Sequence, residues 1–215
     1  MSTASVTRHA LLAGFLLAGI CPAQNWVIGG GFGYGAYKNA SVTSPGGTAD
    51  AGIKSHMVVT GAVSEDLFEH FSGEFRYVYH AGDSFLKSGS VESTVKAQSH
   101  TFVYDALIHL RPRGERIRPF AAGGLGAKYF DTTGNLPSPQ PLNRIASLTT
   151  QSQWKPVFDV GGGVRIRVND RVVVSGEFRD YITWFPERLF SLAGGAKRSG
   201  ILHQFTPMFT VGYNF

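Results

Sequence analysis

The stretch 209-FTVGYNF-215 points to the fold most directly, because apolar and polar residues alternate along it without interruption. Phe209, Val211, Tyr213 and Phe215 share one face of an extended chain, and threonine, glycine and asparagine lie between them. Strict alternation predicts a β-strand with one apolar and one polar face. A single strand is not stable alone, so the remaining sequence must supply its neighbours.

Seven further segments alternate in the same way, and the sequence therefore predicts eight antiparallel strands. The connections alternate between long and short, and the long ones are rich in serine, threonine, glycine, asparagine and proline. This order predicts an up-and-down meander with all long loops at one end and both termini at the other. The predicted strands occupy residues 26–36, 53–63, 71–80, 101–110, 119–130, 155–168, 172–179 and 204–215. The predicted long loops occupy residues 38–52, 81–98, 131–153 and 183–200, and the short turns occupy residues 64–70, 111–115 and 169–171.

Two of the short turns predict a register that can be checked against side-chain character. Residues directly opposite each other in an antiparallel pair point to the same face, so apolar residues should meet apolar residues. The predicted pairs are Ile166 opposite Val174 across a three-residue turn at residues 169–171, and Ile108 opposite Pro119 across a two-residue turn at residues 113–114.

The two faces of the predicted sheet distinguish a membrane barrel from a soluble one. A soluble, lipocalin-like barrel would keep its apolar faces inside and present many lysines and glutamates to solvent. Here the polar faces are sparse and rich in glycine and serine, which suits a narrow lumen. The sequence therefore predicts an all-β, eight-stranded transmembrane barrel with its apolar face in lipid. Aromatic residues mark both expected membrane interfaces: Trp26, Phe71 and Phe215 at the short-turn end, and Tyr79, Tyr129, Trp154 and Trp184 at the long-loop end.

The first residues have the organisation of an export signal. A basic segment precedes the apolar run at residues 10–20, and small residues follow it up to Ala23. This pattern predicts a cleaved signal peptide at residues 1–23 and a barrel domain at residues 24–215. Lipoprotein processing at Cys21 is the alternative, but a bulky isoleucine stands directly before it, where a small residue is expected.

Composition excludes several other classes of protein. Of the 215 residues, 16% are charged and 13% are aromatic, whereas disordered chains need much charge and few aromatic residues. The net charge of +5 comes from scattered lysines and arginines, so no basic patch predicts binding to nucleic acid. The single cysteine lies in the predicted signal peptide, and the mature chain is therefore expected to contain no disulfide.

Residues 24–215 resemble the small eight-stranded outer-membrane barrels of the OmpA-transmembrane or OmpX type. The resemblance rests on the export signal, the alternation of long loops with short turns, and a final strand that ends in phenylalanine. It implies a monomer in the bacterial outer membrane, in contact with membrane lipid and lipopolysaccharide. No peptidoglycan-binding domain is expected after the barrel. The resemblance also implies that the barrel-assembly machinery reads the final strand through Phe209, Val211, Tyr213 and Phe215.

Charged residues on the predicted inner faces lie at one level of the barrel. Most of them lie about seven to nine residues from the middle of the nearest short turn, which is near mid-barrel at a rise of ~3.3 Å per residue. Unpaired charges are too costly there, so we expect acidic residues to pair with arginines. Such a network can pack the lumen, or it can form a constriction that gates a narrow pore for ions or small solutes. The predicted network consists of Glu74, Arg76, Asp105, Arg165, Glu177 and Arg179.

No residue pattern predicts catalysis, a cofactor or a metal. His70 and Ser72 are similar to the histidine and serine separated by one residue in outer-membrane lipid A deacylases, but both are expected to point inward beside a short turn. The histidines at positions 80, 100 and 203 are expected near the long-loop end on different faces, without metal-ligand spacing. No helix is predicted after the glycine-rich stretch 29–33, which therefore predicts a curved strand and not a nucleotide-binding loop.

The sequence therefore predicts a non-enzymatic barrel with a structural or surface-interaction role, carried by its long extracellular loops. The loops are mixed in charge and indicate no particular ligand. The alternatives are a narrow pore gated by the lumen charges, an outer-membrane enzyme, and a soluble ligand-binding barrel of the periplasm. The soluble barrel would be recovered without detergent.

Overall fold

A computed structural model describes residues 25–215, and the predicted signal peptide lies outside the described residues. In chain order the described strands are β1 (Trp26–Lys38), β2 (Ala40–Ser44), β3 (Gly47–Ile53), β4 (His56–Phe68), β5 (Phe71–His80), β6 (Ser84–Ser88), β7 (Val91–Val95), β8 (Ala97–His109), β9 (Ile117–Thr132), β10 (Ala146–Leu148), β11 (Gln153–Arg167), β12 (Val172–Trp184), β13 (Phe190–Leu192), β14 (Lys197–Ser199) and β15 (Ile201–Asn214). A short 3-10 helix, Glu187–Leu189, precedes β13. Within this part of the chain we find no helix with the length and apolar character that a membrane crossing requires.

Eight long strands close an antiparallel barrel in the order β1-β15-β12-β11-β9-β8-β5-β4, and β4 pairs with β1 to complete the ring. Strands that are neighbours along the chain are also neighbours in the ring, which confirms the predicted up-and-down topology. A closed ring leaves no open sheet edge, so the backbone hydrogen bonds are satisfied within the barrel. This is the condition under which β-structure is stable in lipid.

The side chains of the barrel point as the alternation predicts, with the apolar face outward. Phe32, Tyr104 and Leu125 are 58%, 55% and 63% exposed on the outer wall, although they are large and apolar. Inward residues such as Ser72 and Thr206 are fully buried, although they are polar. This distribution is the reverse of that in a soluble protein and calls for an apolar medium around the barrel.

Glycine on the inner face of β1 allows β1 and β15 to approach closely. A Cβ atom at Gly31 would lie 2.0 Å from the carbonyl oxygen of Phe209, and one at Gly33 would lie 2.2 Å from that of Pro207. Side chains at these two positions would push the strands apart and open the ring. The glycine-rich stretch is therefore a strand, as predicted, and it pairs closely with β15.

The predicted pairing of Ile166 with Val174 is confirmed, whereas the predicted register of β8 and β9 is wrong by two residues. Ile108 pairs with Ala121 and not with Pro119. A shift of two residues returns every side chain to its original face, so the alternation is equally satisfied by both registers. The connection is longer than the predicted two-residue turn because it also bonds to the neighbouring turn between β4 and β5.

The long connections, predicted as surface loops, fold into an ordered layer over one end of the barrel. We call this layer, residues 39–55, 81–96, 133–152 and 185–200, the cap. Five of its strands form a sheet in the order β14-β2-β3-β6-β7, and β10 pairs with β13. Ile53, predicted to be a lipid-facing residue of the second barrel strand, instead lies in β3 and is buried inside the cap. Phe130 of β9 and Leu202 of β15 complete the apolar core of the cap, whose other members are Ala40, Val42, Ala49, Ala51, Ile53, Leu86, Val95, Leu142, Ile145, Ala146, Leu148, Phe185, Leu189 and Phe190.

Candidate functional site

Buried charges on β5, β11 and β12 meet at the middle of the barrel. The guanidinium of Arg76 donates to Glu74 at 2.6 Å and to Glu177 at 2.9 Å. Glu74 and Arg76 are two positions apart on β5, so both point into the lumen. Arg165 approaches the second carboxylate oxygen of Glu74 at 3.2 Å. The structure thus places four of the six predicted lumen residues in one hydrogen-bonded group.

Arg179 completes this group and is fully buried. Its guanidinium contacts Glu177 at 3.0 Å, Glu74 at 3.3 Å and Asp105 at 3.3 Å, so all six predicted residues are connected. It also contacts Asp159 at 2.7 Å, and Asp159 is a residue that the sequence analysis missed. Asp159 lies farther from its short turn than the others, and the long side chain of Arg179, which pairs with Gly161, reaches it diagonally across the β11–β12 pair. We call these seven residues the central network.

A second buried polar layer lies between the central network and the short turns. The Ser72 hydroxyl lies 2.6 Å from the Asp66 carboxylate and 2.8 Å from Nε2 of His109, and Arg118 contacts the same carboxylate at 3.0 Å. In a catalytic triad the acid binds the histidine and the serine faces substrate. Here the acid binds serine and arginine, and the serine is fully buried, so the geometry differs from a triad. His70, predicted to point inward, is instead exposed in the turn.

A third polar layer closes the lumen beneath the cap. Lys128 is fully buried, and its Nζ donates to the Tyr37 hydroxyl at 2.7 Å and to the side-chain oxygen of Gln204. The same Nζ lies 5.3 Å from the centre of the Phe130 ring, a cation–π contact. His80 packs against the Tyr37 ring, with 5.1 Å between the ring centres. This layer separates the charged lumen from the apolar core of the cap.

The cavities between these layers are small. One of about 20 Å³ lies beside Arg76 and Glu177, and one of about 50 Å³ lies at the short-turn mouth. A single water molecule needs at least about 10–15 Å³. These spaces have room for only a few water molecules, and side chains fill the rest of these levels of the lumen, as is usual for an eight-stranded barrel.

An aromatic band surrounds part of the outer wall just below the cap. The Tyr77 hydroxyl bonds to Nδ1 of His100 at 2.8 Å, and the rings of Tyr129 and Trp154 lie 4.9 Å apart. The rings of His100 and Tyr129, on the adjacent strands β8 and β9, lie 6.2 Å apart, so the band is continuous across four strands. Amphipathic rings at this height are suited to the boundary between lipid tails and headgroups.

The predicted separation of the histidines is observed. His80 lies inside the barrel, His100 lies in the aromatic band, and His203 lies on another part of the outer wall, where it bonds to Asp180 at 2.8 Å. Among residues 25–215, no group of three or more histidine, cysteine, aspartate or glutamate side chains could hold a metal ion.

The cap carries an open groove of about 500 Å³ on the outer side of its sheet. Lys54 and Glu92 form an ion pair of 2.6 Å there, and this hydrogen bond lowers the pKa of the Glu92 carboxyl. The groove was not predicted from the sequence, although the dipeptide Ser88-Gly89 is a turn signal within the segment that forms its hairpin. The groove is lined by Asn39, Asp50, Lys54, Phe85, Lys87 and Glu92.

Comparisons with known proteins agree with this architecture. The profile of the family described as "Outer membrane protein beta-barrel domain" matches residues 11–215. The sequence has no match among curated proteins. Similar solved structures include Neisserial surface protein A (NspA), at 12% identity and a TM-score of 0.51, covering 89% of this chain and 97% of that one. The N-terminal β-barrel domain of Pseudomonas aeruginosa OprF is similar at 14% identity and a TM-score of 0.48, covering 88% of this chain and 97% of that one.

Proposed function

The chain belongs to the outer membrane protein β-barrel domain family, and from this premise we propose that it is a surface-interaction protein whose cap contacts ligands outside the cell. In this proposal the short turns face the periplasm and the cap faces outward. The barrel anchors the cap and has no catalytic role. Export depends on the signal peptide expected at residues 1–23.

The observation that carries the proposal is the apolar core of the cap. Its buried residues come from all four long connections, including Val42 of the first, Leu86 of the second, Leu148 of the third and Phe190 of the fourth. Flexible loops would pay a large entropic cost on binding a ligand, whereas a packed cap presents its surface already ordered. Such order in long connections is typical of segments that bind something.

The cap groove supplies the surface chemistry for such a role. Phe85 offers an aromatic side chain, while charges of both signs surround it, including Lys87 and Asp50 on directly opposite positions of β6 and β3. Aromatic contact combined with charged and amide groups suits a polar ligand such as a polysaccharide. We propose that this groove is the contact surface.

The lumen supports an anchor role and not a transport role. The three polar layers and the small cavities leave the described lumen filled by its own side chains. We propose that the central network closes and stiffens the barrel. A narrow pore gated by the same charges is the competing function, and a conductance measurement separates the two.

Two sets of contacts with the cell envelope belong to the proposal. We propose that Tyr129 and Trp154 of the aromatic band lie where the outer leaflet, rich in lipopolysaccharide, meets water. The exposed residues Phe209, Val211, Tyr213 and Phe215 of the last strand are proposed as the signal for the barrel-assembly machinery.

Orientation is tested by labelling single cysteines from outside intact cells. In a background with Cys21 replaced by serine, Ser90→Cys places a thiol at the tip of the cap, and Asp170→Cys places one on a short turn. A membrane-impermeant maleimide should label Ser90→Cys alone in intact cells and both variants in lysed cells. Labelling of Asp170→Cys alone in intact cells would show that the orientation is the opposite of the one proposed.

The contact surface is tested with purified protein in nanodiscs passed over immobilised cell-surface polysaccharide. We expect the wild type to be retained and the variant Phe85→Ala/Lys87→Ala to lose retention, because both changes remove groove contacts. The matched control Arg171→Ala alters the opposite end and should behave as wild type. Equal retention of wild type, groove variant and empty nanodiscs would show that the groove is not the contact surface.

A further inference from the structure

We propose that the short-turn mouth of the barrel is a binding site for a phosphate group. The cavity of about 50 Å³ at this mouth is lined by an unusual concentration of arginine, and it is open to solvent. Neither the central network nor the cap accounts for it. The arginines that line it are Arg113, Arg116, Arg118, Arg165 and Arg167.

The strand register forces two of these arginines together. Arg118 of β9 and Arg165 of β11 are directly opposite each other and point to the same inner face. Like charges at directly opposite positions destabilise a sheet unless counter-charges compensate them. Arg118 is compensated by Asp66 at 3.0 Å, and Arg165 by Glu74 at 3.2 Å. Both guanidiniums are thereby held beside the cavity.

Two of the other three arginines, Arg116 and Arg167, have no such compensation within the part of the chain that the structure describes. Among residues 25–215, neither Arg116 nor Arg167 forms an ion pair with a carboxylate, and Arg167 donates to the backbone carbonyl of Gly114. The acidic residues that line the cavity are Asp66, which contacts Arg118 at 3.0 Å and Arg113 at 3.9 Å, and Glu115. Five arginines against three carboxylates, those of Asp66, Glu115 and the Glu74 that pairs with Arg165, leave the mouth with a net positive charge.

The chemistry of the mouth suits a phosphate group. Guanidinium groups form paired hydrogen bonds to phosphate oxygens, and several can share the oxygens of one tetrahedral group. The cavity has room for a few water molecules or one small oxyanion. The phosphate can belong to a lipid headgroup or to a small solute in the periplasm, since both present the same oxygens.

The test is a titration of the protein in uncharged detergent micelles with inorganic phosphate at constant ionic strength. The arginine Nε–H signals are followed by NMR. We expect saturable shifts of Arg116 and Arg167, and about hundredfold weaker binding in the variant Arg116→Gln/Arg167→Gln, as for the loss of one charge-assisted hydrogen bond from each arginine. A heat-dependent gel shift verifies that each variant remains a folded barrel.

The matched control is Arg111→Gln/Arg171→Gln, which removes the same charge from exposed positions on the same two turns outside the cavity. It should bind phosphate as the wild type does. An equal loss in both double variants, or shifts that do not saturate, would overturn the site and indicate only a general response to charge.

A second experiment, without added phosphate, determines whether the phosphate group belongs to a lipid headgroup or to a free solute. The protein is placed in nanodiscs of phosphatidylglycerol and, separately, of phosphatidylcholine. Shifts of the same arginine signals in phosphatidylglycerol alone would support the site and identify a lipid headgroup as its occupant. Identical spectra in both nanodiscs, with phosphate still binding, would support the site and identify a free solute.

Discussion

Nη1 of Arg179 lies 2.7 Å from Oδ2 of Asp159 at the middle of the barrel, and both side chains are fully buried. The contact joins the adjacent strands β12 and β11 from inside the lumen. Arg179 also contacts three further carboxylates, so it compensates more buried negative charge than any other residue of the central network. Its removal should therefore expose the role of this network most clearly.

Replacing Arg179 should destabilise the barrel strongly. Arg179→Met keeps most of the side-chain volume but leaves buried carboxylates without a partner, and we expect a loss of about 3–5 kcal/mol in the free energy of unfolding. Urea unfolding in micelles, followed by tryptophan fluorescence, measures this. The exposed Arg171→Met should change stability by less than about 0.5 kcal/mol. A similarly small effect for Arg179→Met would show that the network is not structural.

The barrel should not conduct ions. Side chains of the three polar layers occupy the lumen, so we expect no channel events from the wild-type protein in planar bilayers. Arg76→Ala and Glu177→Ala should also be silent, because neighbouring side chains and water fill the small space that is lost. Channel openings that appear in Arg76→Ala and are absent from the wild type would establish a gated pore instead.

The Glu92 carboxyl should titrate below its ordinary value. Its hydrogen bond with Lys54 lowers the pKa from 4.5, so this contact stabilises the folded cap above that pH and is lost as the pH falls through the lowered pKa. An NMR titration of the Glu92 side-chain carbon measures the midpoint. Lys54→Met should raise the midpoint toward 4.5, whereas Lys96→Met, which removes a contact with Asp83, should leave it unchanged.

Loosening the cap core should not unfold the barrel. Leu86 is buried in the cap, and Leu86→Ala should cost the cap about 2–5 kcal/mol. Hydrogen exchange should accelerate in β3, β6 and β7, while the barrel strands remain protected. Val91→Ala, an exposed change on the same hairpin, is the control and should leave exchange unaltered. Faster exchange throughout the barrel would show that cap and barrel form one cooperative unit.

Replacing the last residue should impair assembly in cells more than folding in micelles. Phe215 is 68% exposed at the periplasmic end of the proposed orientation, where its aromatic ring is available to the assembly machinery. We expect Phe215→Ala to reduce the heat-modifiable fraction in outer membranes and to refold normally in detergent. Phe68→Ala alters a 70% exposed aromatic residue at the same end and should assemble normally. Equal assembly of both variants would contradict the proposal that Phe215 belongs to an assembly signal.

Much of the barrel was readable from residues 209–215 and the similar segments before them. The side-chain period of two residues is a property of the extended backbone, and it holds whichever strand is the neighbour. Strand number, strand order and the outward position of residues such as Phe32 and Leu125 therefore followed from the pattern alone. The six lumen charges followed from the same parity, combined with the cost of an unpaired buried ion.

Position along the strand could not be read in the same way. Pairing Ile108 with Pro119 or with Ala121 satisfies the alternation equally, and the neighbouring turn selects the second pairing. Asp159 joins Arg179 because the long Arg179 side chain reaches diagonally across the β11–β12 pair, and the direction that a side chain takes inside the lumen has no signature in the sequence. The phosphate-binding mouth depends on the same register, which places Arg118 opposite Arg165.

The cap is the part of the structure that the linear sequence specifies least. Val42, Leu86, Leu148 and Phe190 belong to four different connections, and they share one apolar core only after the barrel has brought those connections to the same rim. Alternation is local and therefore shows which side chains leave the strand on the same side. Packing between distant segments depends on closure of the ring, and closure determines which of those side chains meet.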